Sequence, residues 1–144
     1  MVEELKDMAR KIVAVSGYFD PMHGGHVSYI MDAAKYGDVI VILNSDEAAK
    51  RKKGYCFMPW DQRAAVVGAI KGVIDVVAVD DTDGTVCEAL KRIKPYAFCK
   101  GGDRHLENTP EVALCNAMGI GLIFNCGGEK VASSSELVGK VRNG

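Results

Sequence analysis

Five short apolar runs, each followed by a turn and then by a stretch with helical spacing, constrain the fold of this chain more than anything else in it. They occupy 11–16, 38–43, 73–79, 96–99 and 120–124. Ile12-Val13-Ala14-Val15 and Val39-Ile40-Val41-Ile42-Leu43 are typical: nearly continuous in β-branched and aliphatic residues rather than alternating with polar ones. That pattern belongs to strands covered on both faces, as in parallel sheets. Helical stretches fall between them at 25–36, 59–71, 85–93 and 110–118, with a short helix and loop over 45–58 and a last helix over 136–141. Gly37 stops the first helix, and Pro59 suits a helix's first turn. Strand and helix in alternation predict an α/β fold: a single-domain, Rossmann-like, doubly wound parallel five-stranded sheet with helices on both faces. A chain of 144 residues fits one domain, 1–144, with its core over about 11–142.

In such sheets ligands bind beyond the carboxyl ends of the strands. The turns richest in chemistry lie there, at 17–26, 44–54, 100–105 and 125–135. The first is Gly17-Tyr18-Phe19-Asp20-Pro21-Met22-His23-Gly24-Gly25-His26. It places two imidazoles at i and i+3, on nearly the same face of the opening helical turn. Gly24 and Gly25 let a backbone approach a ligand closely. A helix N-terminus aims amide groups and a positive dipole end at one point, which suits phosphate. Phosphate would raise a histidine pKa there and the helix terminus would lower it, and the residues alone leave that balance open.

Other classes of function find less support. The glycines after the first strand do not spell G-x-G-x-x-G, and no G-x-x-x-x-G-K-[ST] occurs, which disfavours a dinucleotide site and a P-loop. A formal net charge of −1 gives no whole-chain basic field for nucleic acid. No apolar run approaches the roughly 18–20 residues that span a bilayer, and the charged start of the chain lacks a signal-peptide core. No nucleic-acid or membrane partner is therefore expected. Cys56, Cys87, Cys99, Cys115 and Cys126 contain no C-x-x-C pair, so free thiols in a reducing cytoplasm are the simplest reading. No metal site is expected from the protein's own residues, because a third ligand beside the histidine pair would have to be His105.

The turn from Gly17 to His26 resembles the G-x-F-D-x-x-H-x-G-H signature of the cytidylyltransferase-like nucleotidyltransferase superfamily. Leu43-Asn44-Ser45-Asp46, Lys50-Arg51-Lys52-Lys53-Gly54, Pro59-Trp60-Asp61-Gln62-Arg63, Lys94-Pro95, Lys100-Gly101-Gly102-Asp103 and Ser133-Ser134-Ser135 resemble its later segments in order. The combined pattern is most similar to the adenylyltransferase domain of heptose-phosphate enzymes, and next to glycerol-3-phosphate cytidylyltransferases. Two departures stand before Ser133: Val131 replaces a family glycine, and Gly128 stands where the cytidylyltransferase branch has arginine, with Lys130 as a substitute.

The resemblance implies transfer of a nucleotidyl group to a phosphorylated acceptor with release of pyrophosphate. The donor is ATP, or CTP in the alternative, and the acceptor is a sugar phosphate such as heptose 1-phosphate, or a polyol or amino-alcohol phosphate. A third reading is a non-catalytic nucleotide-binding module. By the same resemblance His23, His26 and Lys53 are catalytic, and Gly17, Tyr18, Phe19, Gly25, Lys100, Gly101, Asp103, Ser133, Ser134 and Ser135 hold the nucleotide. Asp20 either touches acceptor hydroxyls or braces the turn, and Arg63 either holds the basic loop or forms an ion pair. Both are counted as substrate-binding candidates. The serines either cap the last helix or leave its amides to a phosphate. Mg²⁺ is expected to arrive with the triphosphate, and a homodimer fits a domain this small.

Overall fold

The computed structural model describes residues 11–101 and 109–127. Five parallel strands form one sheet: β1 (Ile12–Gly17), β2 (Asp38–Leu43), β3 (Val73–Ala78), β4 (Ala97–Cys99) and β5 (Gly121–Ile123), in the order β3-β2-β1-β4-β5. The helices are α1 (Gly24–Ala33), α2 (Asp46–Lys53), α3 (Trp60–Gly68), α4 (Cys87–Ile93) and α5 (Pro110–Met118). Chain order runs outward from β1 in one direction to β3, then resumes at β4 on its other side. The gap beyond β1 and β4 is thus the topological switch point of the sheet.

Alternate residues of each central strand feed two separate cores. Val13 and Val15 of β1, with Val39 and Val41 of β2, pack against Ile30 and Ala33 of α1 and Val67 of α3. Ala14, Ile42 and Phe98 point the other way, onto Ala89 and Leu90 of α4 and Cys115 of α5. Each of the Val, Ile, Leu and Phe side chains among them is worth about 1.5–3 kcal/mol when fully buried. The expected helical cover on both faces is therefore present. The continuous apolar pattern fails at the edge of the described sheet, where β3 exposes Ile74 and Asp75.

Several element ends differ from expectation. The first helix ends at Ala33, short of Gly37; the chain turns through 34–36. Gly37 serves instead as a contact point, since a Cβ there would lie 2.4 Å from the Lys11 carbonyl oxygen. The stretch from 45 divides: Ser45 caps α2 and Gly54, at φ 87°, closes it in the left-handed conformation that suits glycine. Pro59 is the N-cap of α3 rather than its first residue, and α3 stops at Gly68. The fourth helix begins at Cys87 rather than at residue 85. The expected helix over 136–141 lies outside the described residues.

Candidate active site

A cleft of about 390 Å³ opens at the carboxyl end of β1, lined by Ser16–Pro21, His23, His26, Tyr29, Lys52 and Lys53. The chain leaves β1 through Gly17, where a Cβ would strike the Phe19 ring at 2.9 Å. Phe19 is itself buried and meets the His26 ring edge-on, with centroids 5.0 Å apart.

His23 occupies the N-cap of α1 with an extended backbone. Its Nδ1 accepts from the Gly25 amide at 3.1 Å, and the His26 Nδ1 accepts from the His23 amide at 3.1 Å. The two imidazoles thus form a reciprocal capping box, a task more often given to serine or threonine with glutamate. A ring whose Nδ1 accepts a proton carries its own proton on Nε2, so both rings are held as Nε2–H donors. They stack at 3.7 Å between centroids, 24° from parallel. Burial, with the neighbouring His23 adding to it, pushes the His26 pKa down to about 4. His26 is therefore neutral at pH 7 in the ligand-free chain, through burial and its imidazole neighbour. In the ligand-free chain the Gly25 amide serves as a capping donor to His23.

Lys53 lines the cleft and rests on Asp20, with its Nζ 2.8 Å from Oδ2 and also bonded to the Asp20 carbonyl. The Asp20 side chain is enclosed, and it accepts from the Phe57 amide at 2.8 Å and the Met58 amide at 2.6 Å. Burial alone would raise its pKa, but the Lys53 bond and the two amides hold it below the ordinary carboxylate value. Of the two roles open to Asp20, bracing is the one this geometry supplies. Arg63 requires a plainer correction. It is 1% exposed and gives all its bonds to the protein: Met58 O at 2.8 Å, Tyr18 O at 2.8 Å, Asn44 O at 2.9 Å and Asp46 Oδ1 at 2.6 Å. A guanidinium so placed clamps the turns after β1 and β2 and has no surface for a substrate.

A second cleft, of about 220 Å³, lies across Tyr18 and Lys52, which line both spaces; the Lys52 Nζ sits 4.7 Å from the Tyr18 ring centroid. Asn44, Arg51 and Asp81 complete its polar lining. Asp81 is 3% exposed and receives the Asn44 amide at 3.0 Å, the Ser45 amide at 2.9 Å and the Ser45 hydroxyl at 2.6 Å. Burial opposes ionisation there, but those bonds outweigh it and hold the Asp81 pKa below its usual value. Asp81 and Tyr29 were not singled out from sequence. The acidic pair Asp80-Asp81 directly after the third apolar run was the available signal for one, and the position of Tyr29 one turn after His26 for the other.

Lys100 and Gly101 lie at the carboxyl end of β4, one strand away, where the Lys100 amide donates to Ile123 O and its carbonyl accepts from Cys126. Asp103, Ser133, Ser134 and Ser135 lie outside the described residues. Among the described residues no group of three or more His, Cys, Asp or Glu is placed to hold a metal ion, and no helix is long and apolar enough to cross a membrane.

Comparison with known proteins adds to this geometry. A family model described as cytidylyltransferase-like matches residues 14–140. The D-beta-D-heptose 1-phosphate adenylyltransferase of Bordetella bronchiseptica is 33% identical, over 95% of this chain and 85% of its own. The bifunctional protein HldE of Yersinia enterocolitica is 34% identical over 99% of this chain. That of Aliarcobacter butzleri is 37% identical over 72% of it. The matches span only 30% and 22% of those two bifunctional proteins. A solved lipopolysaccharide core biosynthesis protein from Thermoplasma volcanium aligns with a TM-score of 0.66 over 79% of this chain and 93% of its own, at 23% identity, a likeness of fold.

Proposed function

The chain belongs to the cytidylyltransferase-like family, and we propose that it is a nucleotidyltransferase that moves AMP from ATP to a sugar phosphate such as heptose 1-phosphate, releasing pyrophosphate. One observation carries this reading: two stacked imidazoles, fixed as Nε2–H donors by the helix they cap, share a cleft with Lys53 at the carboxyl end of β1. The name of the Bordetella relative favours ATP over CTP and a heptose phosphate over a polyol phosphate.

An oxygen of the acceptor phosphate attacks the α-phosphorus and forms a new P–O bond. The bond from the α-phosphorus to the bridging oxygen breaks, and its electron pair leaves on pyrophosphate. A phosphate monoester is already anionic near pH 7, so the step needs no general base. Catalysis is then positioning and charge stabilisation. His23 and His26 donate to oxygens that gain charge as pyrophosphate departs. Lys53 exchanges its Asp20 partner for the polyphosphate. The second cleft, with Arg51 and Lys52 as cations and Asn44 as a hydroxyl partner, receives the acceptor. Asp103 and Ser133–Ser135 remain assigned to the nucleotide by resemblance. The described residues bring no group of three metal-ligating side chains together, and the cleft's carboxylate, Asp20, is committed to the Phe57 and Met58 amides. The ion is read as arriving on the triphosphate, and no step is routed through it. The reaction is assigned to the cytoplasm, in keeping with five free thiols, and to a homodimer.

Pyrophosphate release is measured with ATP and with CTP against heptose 1-phosphate, glycerol 3-phosphate and phosphocholine. Release with ATP and the sugar phosphate is expected. Preference for CTP would move the protein to the cytidylyl branch, and no release with any pair would leave a nucleotide-binding module.

A further inference from the structure

Tyr29 lies one turn beyond His26 on α1, and its ring lines the same cleft. Its hydroxyl donates to the Cys99 carbonyl at 2.5 Å and accepts from the Ser16 amide at 3.4 Å. Those two partners belong to neighbouring strands. The β1–β4 ladder runs through Val13↔Ala97 and Ala14↔Phe98 and then stops. Continued in the same register, it would bring the Ser16 N–H to the Cys99 C=O as its next bond. The phenol oxygen stands between them instead. One hydrogen bond of about 2.9 Å is replaced by two legs, and the strands part where the cleft begins.

A second contact pins the same helix. The Gly127 amide donates to Asp32 of α1 at 2.7 Å. Gly127 has φ 70°, and a Cβ there would lie 2.8 Å from the Tyr29 amide nitrogen. The segment after β5 therefore presses directly on the backbone that carries Tyr29.

Resting on the nucleotidyltransferase reading, we propose that Tyr29 is a positioning residue whose hydroxyl wedges β1 and β4 apart, keeping the crevice open for the nucleoside end of the triphosphate. It touches no reacting atom. Its effect is on how the donor nucleotide seats beside His26.

Tyr29→Phe keeps the ring and removes only the oxygen. Without the wedge the Ser16 amide closes on the Cys99 carbonyl and the crevice narrows. The KM for ATP should rise about tenfold while kcat at saturation stays within about threefold, the signature of lost ground-state seating. Exchange of the Ser16 amide, followed by NMR in the ligand-free protein, should slow. A hydroxyl with a purely structural role would lower the melting temperature and leave KM and Ser16 exchange unchanged, which would overturn the proposal. Should the variant fail to fold, the wild-type protein supplies the test: the Tyr29 hydroxyl proton should exchange slowly and show a nuclear Overhauser effect to the Ser16 amide. Its absence would overturn the wedge. The Ser16 measurements need no substrate. A wild-type protein inactive with every triphosphate, yet showing the Ser16 change in the variant, would remove the proposed reaction and keep the wedge as a device for some other ligand. An active wild type with an unchanged variant would remove the wedge alone.

Discussion

The two flanks of β1 are built differently. On the β2 side, pairing runs in unbroken register from Ile12↔Asp38 to Gly17↔Leu43, and beyond the strands Arg63 goes on tying the two turns together through Tyr18 O and Asn44 O. On the β4 side, pairing stops at Ala14↔Phe98 and a side-chain hydroxyl takes over. The closed flank fixes where the turn after β1 must be. On the open flank a side chain of α1 stands between the strands where the ladder would continue. A parallel sheet can thus carry rigidity and access on opposite edges of one strand.

The largest effect should come from breaking the closed flank. Arg63→Ala removes a buried cation bonded to four protein acceptors, three of them backbone carbonyls. It should cost about 3–5 kcal/mol of unfolding free energy by urea denaturation. A loss below 1 kcal/mol would mean the clamp is dispensable. On the open flank, His26→Ala should cut kcat about 10²–10³-fold. Its cost in stability should be nearer the roughly 1 kcal/mol of a lost helix cap. Near-normal turnover in that variant would remove the imidazole pair from the mechanism.

Acid should separate the flanks without mutation. The folded pKa of His26 lies near 4, below its ordinary value of 6.5. Between those values the unfolded chain binds the extra proton, so this contribution to stability is complete above pH 6.5 and is lost as pH falls toward 4. Thermal melts over that range should show a decline that His26→Asn reduces; an identical decline in the variant would assign it elsewhere. The smallest effect belongs to a site on neither flank. Glu88→Ala removes the exposed Arg92 pair on α4 and should cost only about 0.3–0.5 kcal/mol, with pyrophosphate release unchanged.

What could be read from sequence divides along similar lines. Strands and helices were legible because burial on both faces of the sheet leaves long apolar runs, and the histidine pair because its geometry is set within four residues. Asp20 and Arg63 were recognised as charged and important, but sequence does not say whether a charge faces inward. Their partners come from other turns: Asp20 meets Phe57 and Met58, and Arg63 meets Tyr18. Tyr29 escaped notice because its carbonyl partner is 70 positions away, and Asp81 because the partners that enclose it are 36 and 37 away. The apolar strand pattern misled at the edges of the described sheet, most at β3, where Ile74 and Asp75 are exposed.

The imidazole capping box has a consequence for how this chain prepares its donors. Many catalytic histidines rely on a dedicated carboxylate to hold the ring and select its tautomer. Here the main chain performs that office, because the amides that open α1 dock on the inner nitrogens. The first turn of a helix does the orienting, and the act of folding sets both rings before any substrate is present.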